Sequence, residues 1–219
     1  TRKESSAASD VYKRQIYMIG FVAQILFSSR LILQWLISEK NKKVLTPKLF
    51  WEFSLAASVL LFIYGYLRHD FAIMLGQTLT YYIYIRNIQL QNHWKSFPKI
   101  IRISLLIFPV ILVVVGFNNG IIDVDNLFRN EKIPLWLLTL GILSQVMFTF
   151  RFVYQWLYSE YQKNSSLPIG FWVISLIGSF FILTYAIIRK DPVLFIGHFM
   201  GFIIYFRNII LIWKTQKDD

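Results

Sequence analysis

Arg30 is followed four residues later by Gln34 and eight later by Ser38, inside an otherwise apolar run. The same trio returns as Arg151, Gln155 and Ser159. On an α-helix, residues four apart are neighbours, so each arginine and glutamine form one polar patch. At about 100° per residue, Gly20, Gln24 and Phe27 continue that arc in the first run, and Gly141, Gln145 and Phe148 in the second. Arg30 sits about 12 Å from the end of its helix at a rise of ~1.5 Å per residue. In lipid, that depth costs an arginine about 2.5–3.5 kcal/mol. A cost incurred twice at the same place needs a partner. One reading pairs Arg30 and Arg151 internally, with helix-terminal carbonyls or with Glu39 and Glu160. The other turns them toward a cavity, where the planar fork of donors meets an anionic group, most naturally a phosphate. The glutamines favour the second, because an arginine reaching for the membrane surface would not need them.

A second polar stripe comprises Gln77, Thr80, Tyr84 and Asn87, repeated as His198, Gly201, Tyr205 and Asn208. These groups suit sugar hydroxyls or a lipid headgroup, and equally suit interhelical hydrogen bonds worth only ~0.6 kcal/mol each. Arg86 and Arg207 point about 100° away from the adjacent asparagines and lie within a turn of the helix end. The helix dipole and snorkelling both favour a cation there, so an anchoring role is expected. Two positions break the likeness between the copies: Gln77 against His198, and Glu52 against Val173. His198 is expected to be a hydrogen-bonded structural residue, and Glu52 to complement the start of its helix. There is no nucleophile–His–acid set, no HExxH, no Gly-rich phosphate loop and no metal-ligand spacing, so neither a cofactor nor an enzymatic site is expected.

The elements that position these groups belong to an internal repeat. RLILQWLISE at 30–39 matches RFVYQWLYSE at 151–160, and the register holds without a gap. Pro47 falls on Pro168, Phe50-Trp51 on Phe171-Trp172, Arg68 on Arg189, Asp70 on Asp191, Gly76 on Gly197, and YIRNI at 84–88 on YFRNI at 205–209. The chain is 56% hydrophobic, with a mean hydropathy of +0.50. Seven runs approach the roughly 20 apolar residues needed to span a bilayer: 16–38, 49–66, 71–90, 101–117, 135–159, 168–187 and 192–213. The expected architecture is therefore an all-α membrane protein of seven transmembrane helices. Residues 16–90 form the first three-helix repeat and 134–213 the second. Residues 91–133 form a linker whose helix, 101–117, carries Pro109 and restores a parallel orientation. Residues 1–15, which match nothing in the second copy, are read as a disordered or extraneous tail, and 214–219 as a cytoplasmic one. Ser54, Ser58 and Gly65, with Ser175, Ser179 and Ala186, are read as helix-packing positions.

Cysteine is absent, which excludes disulfides and thiolate metal sites. The net charge of +11 is carried mainly in short loops, which favours a membrane over nucleic acid as its partner. Lys40, Lys42, Lys43, Lys48, Lys95, Lys99, Arg102, Lys163, Lys214 and Lys217 fall on one side. Arg68, Arg129, Lys132, Arg189 and Lys190 fall on the other, diluted by Asp70, Asp123, Asp125, Glu131 and Asp191. The positive-inside rule then places the C-terminus in the cytoplasm and the N-terminus outside.

The combined pattern R-x-x-x-Q-W-x-x-S-E, P-x-x-F-W-x-x-S, R-x-D and Y-x-R-N resembles the lipid-A biosynthesis N-terminal domain family, in both copies. The resemblance implies small three-helix membrane units, found as pairs or fused ahead of lipid-A-disaccharide synthase in some bacteria. Their topology is similar to that of the SWEET and PQ-loop transporters, although neither first helix here carries a Pro-Gln pair. The family implies a link to lipid A and envelope glycolipids in a bacterial inner membrane. It implies no glycosyltransferase activity, since the soluble nucleotide-sugar domain is not in this sequence. The leading expectation is a transporter or flippase for a phosphate-bearing glycolipid or polyprenyl-phosphate sugar. In it, Arg30, Gln34, Arg151 and Gln155 meet the phosphate, and the third-helix stripe meets the head. The alternatives are a non-catalytic subunit that docks an envelope glycosyltransferase and presents its lipid, and a carrier for small sugars.

Overall fold

A computed structural model describes residues 2–67, 71–118, 135–189 and 192–218. Seven α-helices lie among them: α1 (Arg2–Asn41), α2 (Lys48–Leu67), α3 (Phe71–Leu90), α4 (Lys99–Asn118), α5 (Leu135–Gln162), α6 (Ile169–Arg189) and α7 (Pro192–Asp218). A 3-10 turn, Trp94–Ser96, precedes α4, and no strand occurs among the described residues. The first helix begins at Arg2, so much of the expected tail is continuous with it. The loop charges Arg68, Asp70, Asp123, Asp125, Arg129, Glu131, Lys132, Lys190 and Asp191 lie outside the described residues, as do the surroundings of Gly76, Gly141 and Gly197 and the side chains of Gln145 and Arg189.

Within each repeat the middle helix packs against both neighbours: α2 on α1 and α3, α6 on α5 and α7. The repeats meet crosswise through α3 with α5 and α1 with α7. Among the described residues three stretches are long and apolar enough to cross a membrane, Arg14–Asn41, Lys48–Leu67 and Ile169–Ile188, against the seven expected. The interior holds Arg30, Gln34, Asn87, Arg151, Gln155 and Asn208, whereas Phe21, Ile103, Val110, Phe150 and Phe206 face outward.

Helix ends repeat as faithfully as the sequence. Lys42, with φ 54°, closes α1: its amide bonds the Glu39 carbonyl and the next amide, of Lys43, bonds that of Ser38. Lys163, with φ 53°, closes α5 in the same way through Glu160 and Ser159. This left-handed residue with its two nested bonds is the Schellman termination. It turns the chain sharply enough for the Ser38 and Ser159 hydroxyls to accept the amides of Leu45 and Ser166.

The connecting helix α4 is held through its proline. Pro109 has no N–H, so the Leu105 carbonyl four residues earlier loses its helical donor. The Tyr81 hydroxyl of α3 donates to that carbonyl at 2.8 Å, and Tyr82 donates to the Leu106 carbonyl at 3.1 Å. Tyr81 and Phe62 also pack their rings on Phe108. Tyr81→Phe should lower stability by about 1–3 kcal/mol. Pro109→Ala supplies the missing amide and should recover most of that loss in the double variant. A thermal double-mutant cycle measures the coupling, and additive effects would show that the phenol is not there for the proline.

Candidate functional site

Arg30 and Arg151 point into the bundle and are 4% and 7% exposed. Each is enclosed by aromatic rings. The Arg30 guanidinium carbon lies 4.6 Å from the ring centre of Phe27, 5.1 Å from Phe50, 5.5 Å from Tyr84 and 5.3 Å from Phe152. That of Arg151 lies 4.5 Å from Phe148, 4.8 Å from Phe152, 5.4 Å from Phe171 and 5.5 Å from Tyr205. Phe152 therefore stands beside both, and the two charges are separated by no more than the sum of their distances to its ring.

Hydroxyls complete each box. Arg30 Nη1 donates to Ser54 Oγ, whose own hydrogen goes to the Phe50 carbonyl. Arg151 Nη1 donates to Ser175 Oγ at 3.3 Å and to the Tyr205 hydroxyl at 3.0 Å. Ser54 and Ser175, read from sequence as packing residues, are thus hydrogen-bond acceptors for the arginines. Among the described residues no carboxylate pairs with either arginine, and the Nε of each is buried without a partner.

Glu39 and Glu160 serve other cations. Glu39 accepts from Nε and Nη2 of Arg207, and Glu160 from Nε and Nη2 of Arg86. Both are two-point forks, and both join one repeat to the other. Arg86 and Arg207, expected to anchor at the membrane surface, instead lock the repeats together. Glu160 lies just beyond the apolar run of α5, and the Arg86 hydrogen bond holds its carboxyl down to about 2. A depressed carboxyl stabilises the fold above its unfolded value of roughly 4.3 and loses that contribution as pH falls toward 2. This link is therefore intact at neutral pH.

The amides expected to meet a ligand are also bonded across the repeats. Gln34 donates to Asn208 at 3.0 Å and receives at 3.3 Å. Gln155 donates to Asn87 at 2.8 Å and receives at 3.0 Å. Each asparagine also donates to the carbonyl four residues before it, and each glutamine donates to its own Ser38 or Ser159 and to the following loop. All four amides are buried. The C-terminal ends of α1, α3, α5 and α7 accordingly meet at one end of the bundle, so equivalent residues of the two repeats share a depth.

The remaining candidates separate. Tyr84 and Tyr205 line the arginine boxes. Gln77 accepts from Ser58 at 3.1 Å. His198 lies against Phe148, ring centres 5.1 Å apart, and makes no hydrogen bond among the described residues, contrary to its expected role. Gln24, placed on the arginine's arc by spacing, lines an outward groove of about 480 Å³ with Tyr17, Gly20 and Tyr64. Glu52 pairs with His93 at 2.8 Å, a link missed in the sequence. Its one signal was that Glu52 has no acidic equivalent in the second copy.

Residues 19–89 and 140–210 each match the model of the Lipid A Biosynthesis N-terminal domain. The chain belongs to that family. Each matched stretch of this lipid A biosynthesis N-terminal domain protein holds one full set of the residues described above, from arginine to asparagine. It is 28% identical over 213 residues to a lipid-A-disaccharide synthase of Chlamydia abortus, and 30% identical over 212 residues to that of Chlamydia felis. These alignments cover 93% and 92% of the chain but 34% of each relative, so the chain spans about a third of the length of the curated relatives it matches. No solved structure matches it significantly.

The crosswise ion pairs make a direct prediction for the family. Arg86→Glu places like charges together and should lower the thermal midpoint. The reversed pair, Arg86→Glu with Glu160→Arg, should regain most of the loss, with a coupling of about 0.5–3 kcal/mol. No recovery in the double variant would show that Arg86 acts independently of Glu160.

Proposed function

We propose that this chain is a seven-span protein of the bacterial inner membrane that binds the phosphate of an anionic glycolipid or polyprenyl-phosphate sugar between its repeats and carries it across the bilayer. One observation carries the reading. Two guanidiniums are buried close together, with no carboxylate on either among the described residues and an unused Nε donor on each. Like charges enclosed in this way repel, and an arriving phosphate would cancel one of them as a diester and both as a monoester dianion. Arg30 and Arg151 hold the anion in this scheme. Gln34, Gln155, Asn87 and Asn208 close the end of the bundle beyond it, rather than touching the head.

The membrane setting is supported by the apolar exterior around a polar interior and by the three spanning-length helices. Lys40, Lys42, Lys43, Lys95, Lys163 and Lys214 gather at the closed end, which the positive-inside rule assigns to the cytoplasm, with the N-terminus outside. The link to lipid A rests on the family and on relatives named as lipid-A-disaccharide synthases. Those relatives also favour a second reading, in which the chain presents a lipid to an envelope glycosyltransferase without transporting it.

The test is a lipid-flip assay in reconstituted vesicles. Replacing an uncompensated buried charge with an apolar side chain of similar length is often neutral or stabilising. Arg30→Met and Arg151→Met should therefore keep or raise the thermal midpoint while abolishing flipping of a polyprenyl-phosphate sugar, and Arg30→Lys should retain part of it. Unaltered flipping in the methionine variants would overturn the anion role. Binding of the lipid without flipping, together with co-purification of a glycosyltransferase, would transfer the proposal to the presenting role.

A further inference from the structure

The repeats differ at one polar pair close to the arginines. In the first, Ser58 Oγ donates to Gln77 Oε1 at 3.1 Å. The equivalent positions in the second are Ser179 and His198. Ser179 is fully buried, and its Oγ has no hydrogen-bond partner. His198 does not supply one; its rigid ring lies instead on Phe148, which also faces the Arg151 guanidinium at 4.5 Å. The Nε of Arg151 is likewise buried and unpartnered. Three residues along the same face, Thr80 is matched by Gly201, so the second repeat has no hydroxyl side chain at that position. A Cβ there would come within 3.2 Å of the Tyr205 hydroxyl that Arg151 bonds.

A buried hydroxyl left unpaired is costly, and the first repeat shows that one glutamine removes the defect. We propose that Ser179 and His198, with Arg151 Nε, form a subsite in the second repeat for a hydroxyl-bearing group, the sugar attached to the phosphate held by Arg30 and Arg151. The subsite deepens the phosphate-binding reading and rests on it. Its chemistry suits a hydroxyl. The serine hydroxyl can both donate and accept, as a sugar hydroxyl can, whereas a fully ionised phosphate can only accept. Gln77 and Ser58 already satisfy each other, so the head is held on one side of the pseudo-symmetric centre.

Two monoanionic phosphodiesters separate the parts: dodecyl methyl phosphate and dodecyl glucosyl phosphate, each titrated against the full chain in phosphatidylcholine nanodiscs by tryptophan fluorescence. The wild type should bind the glucosyl compound about tenfold more tightly, equal to ~1.4 kcal/mol. His198→Gln, which copies the first repeat, should erase that preference and leave dodecyl methyl phosphate affinity within about twofold. Ser179→Ala should do the same and serves should the glutamine variant fail to fold. A wild type without preference, or variants that keep it, would overturn the subsite while leaving the phosphate reading in place. Failure of the wild type to bind either compound would remove both.

Discussion

A buried amide must find partners for all its groups, and here each repeat supplies part of the other's. Gln34 and Asn87 lie in the same three-helix unit, yet each bonds the other unit, to Asn208 and Gln155. Leaving such groups unpaired costs about 1–3 kcal/mol each. The ion pairs obey the same rule, Glu39 with Arg207 and Glu160 with Arg86. If residue i of one unit bonds residue j of the other, then j bonds i, which is the signature of a twofold interface. The tandem chain is thus a covalently joined version of a symmetric dimer.

That symmetry places Arg30 and Arg151 at the centre. The first helices carry the arginines one turn ahead of the glutamines that bond the opposite repeat, so closing the interface brings the two charges to either side of Phe152. At roughly 10 Å and an effective dielectric constant near 20, two unit charges repel by about 1.7 kcal/mol. Ring contacts worth about 0.5–2 kcal/mol apiece offset this, and each Ser54 or Ser175 hydroxyl contributes a charge-assisted bond. The arrangement tolerates its charge without neutralising it. An internal counter-ion would have made a quieter core, and two glutamates are available a little over two turns away, yet both are turned to the far repeat.

The helices, their duplication and the face shared by arginine and glutamine were legible because helical periodicity and self-similarity are local properties. Partner choice was not. Both repeats carry the same motif, so a bond from Gln34 to Asn87 within a unit and one to Asn208 across units look identical in sequence. Only packing decides between them. Arg86 and Arg207 read as anchors because position alone places them near a helix end; that each meets a glutamate there depends on the other repeat. Tyr81 was invisible as a proline partner for a similar reason, since nothing in its neighbourhood announces a carbonyl stripped of its donor on another helix. His198 could be flagged as a break in symmetry, but what it fails to do, satisfying Ser179, needed coordinates.

On the transport reading, the clasp at the lysine-rich end must also be able to open. Exposed ion pairs contribute about 0.2–1 kcal/mol each, and interhelical amide bonds in lipid average ~0.6 kcal/mol. Two of the former and four of the latter therefore hold that end with only a few kcal/mol beyond apolar packing. Reversing a two-state equilibrium from 1:99 to 99:1 takes about 5.5 kcal/mol of differential binding. Charge-assisted hydrogen bonds from two guanidiniums to one phosphate, at about 1.5–3 kcal/mol each, make an interaction of that order. The same residues that close the bundle would then be weak enough to release it when the central charge changes, whereas a clasp made of a continuous apolar interface would have no reason to respond to an anion at all.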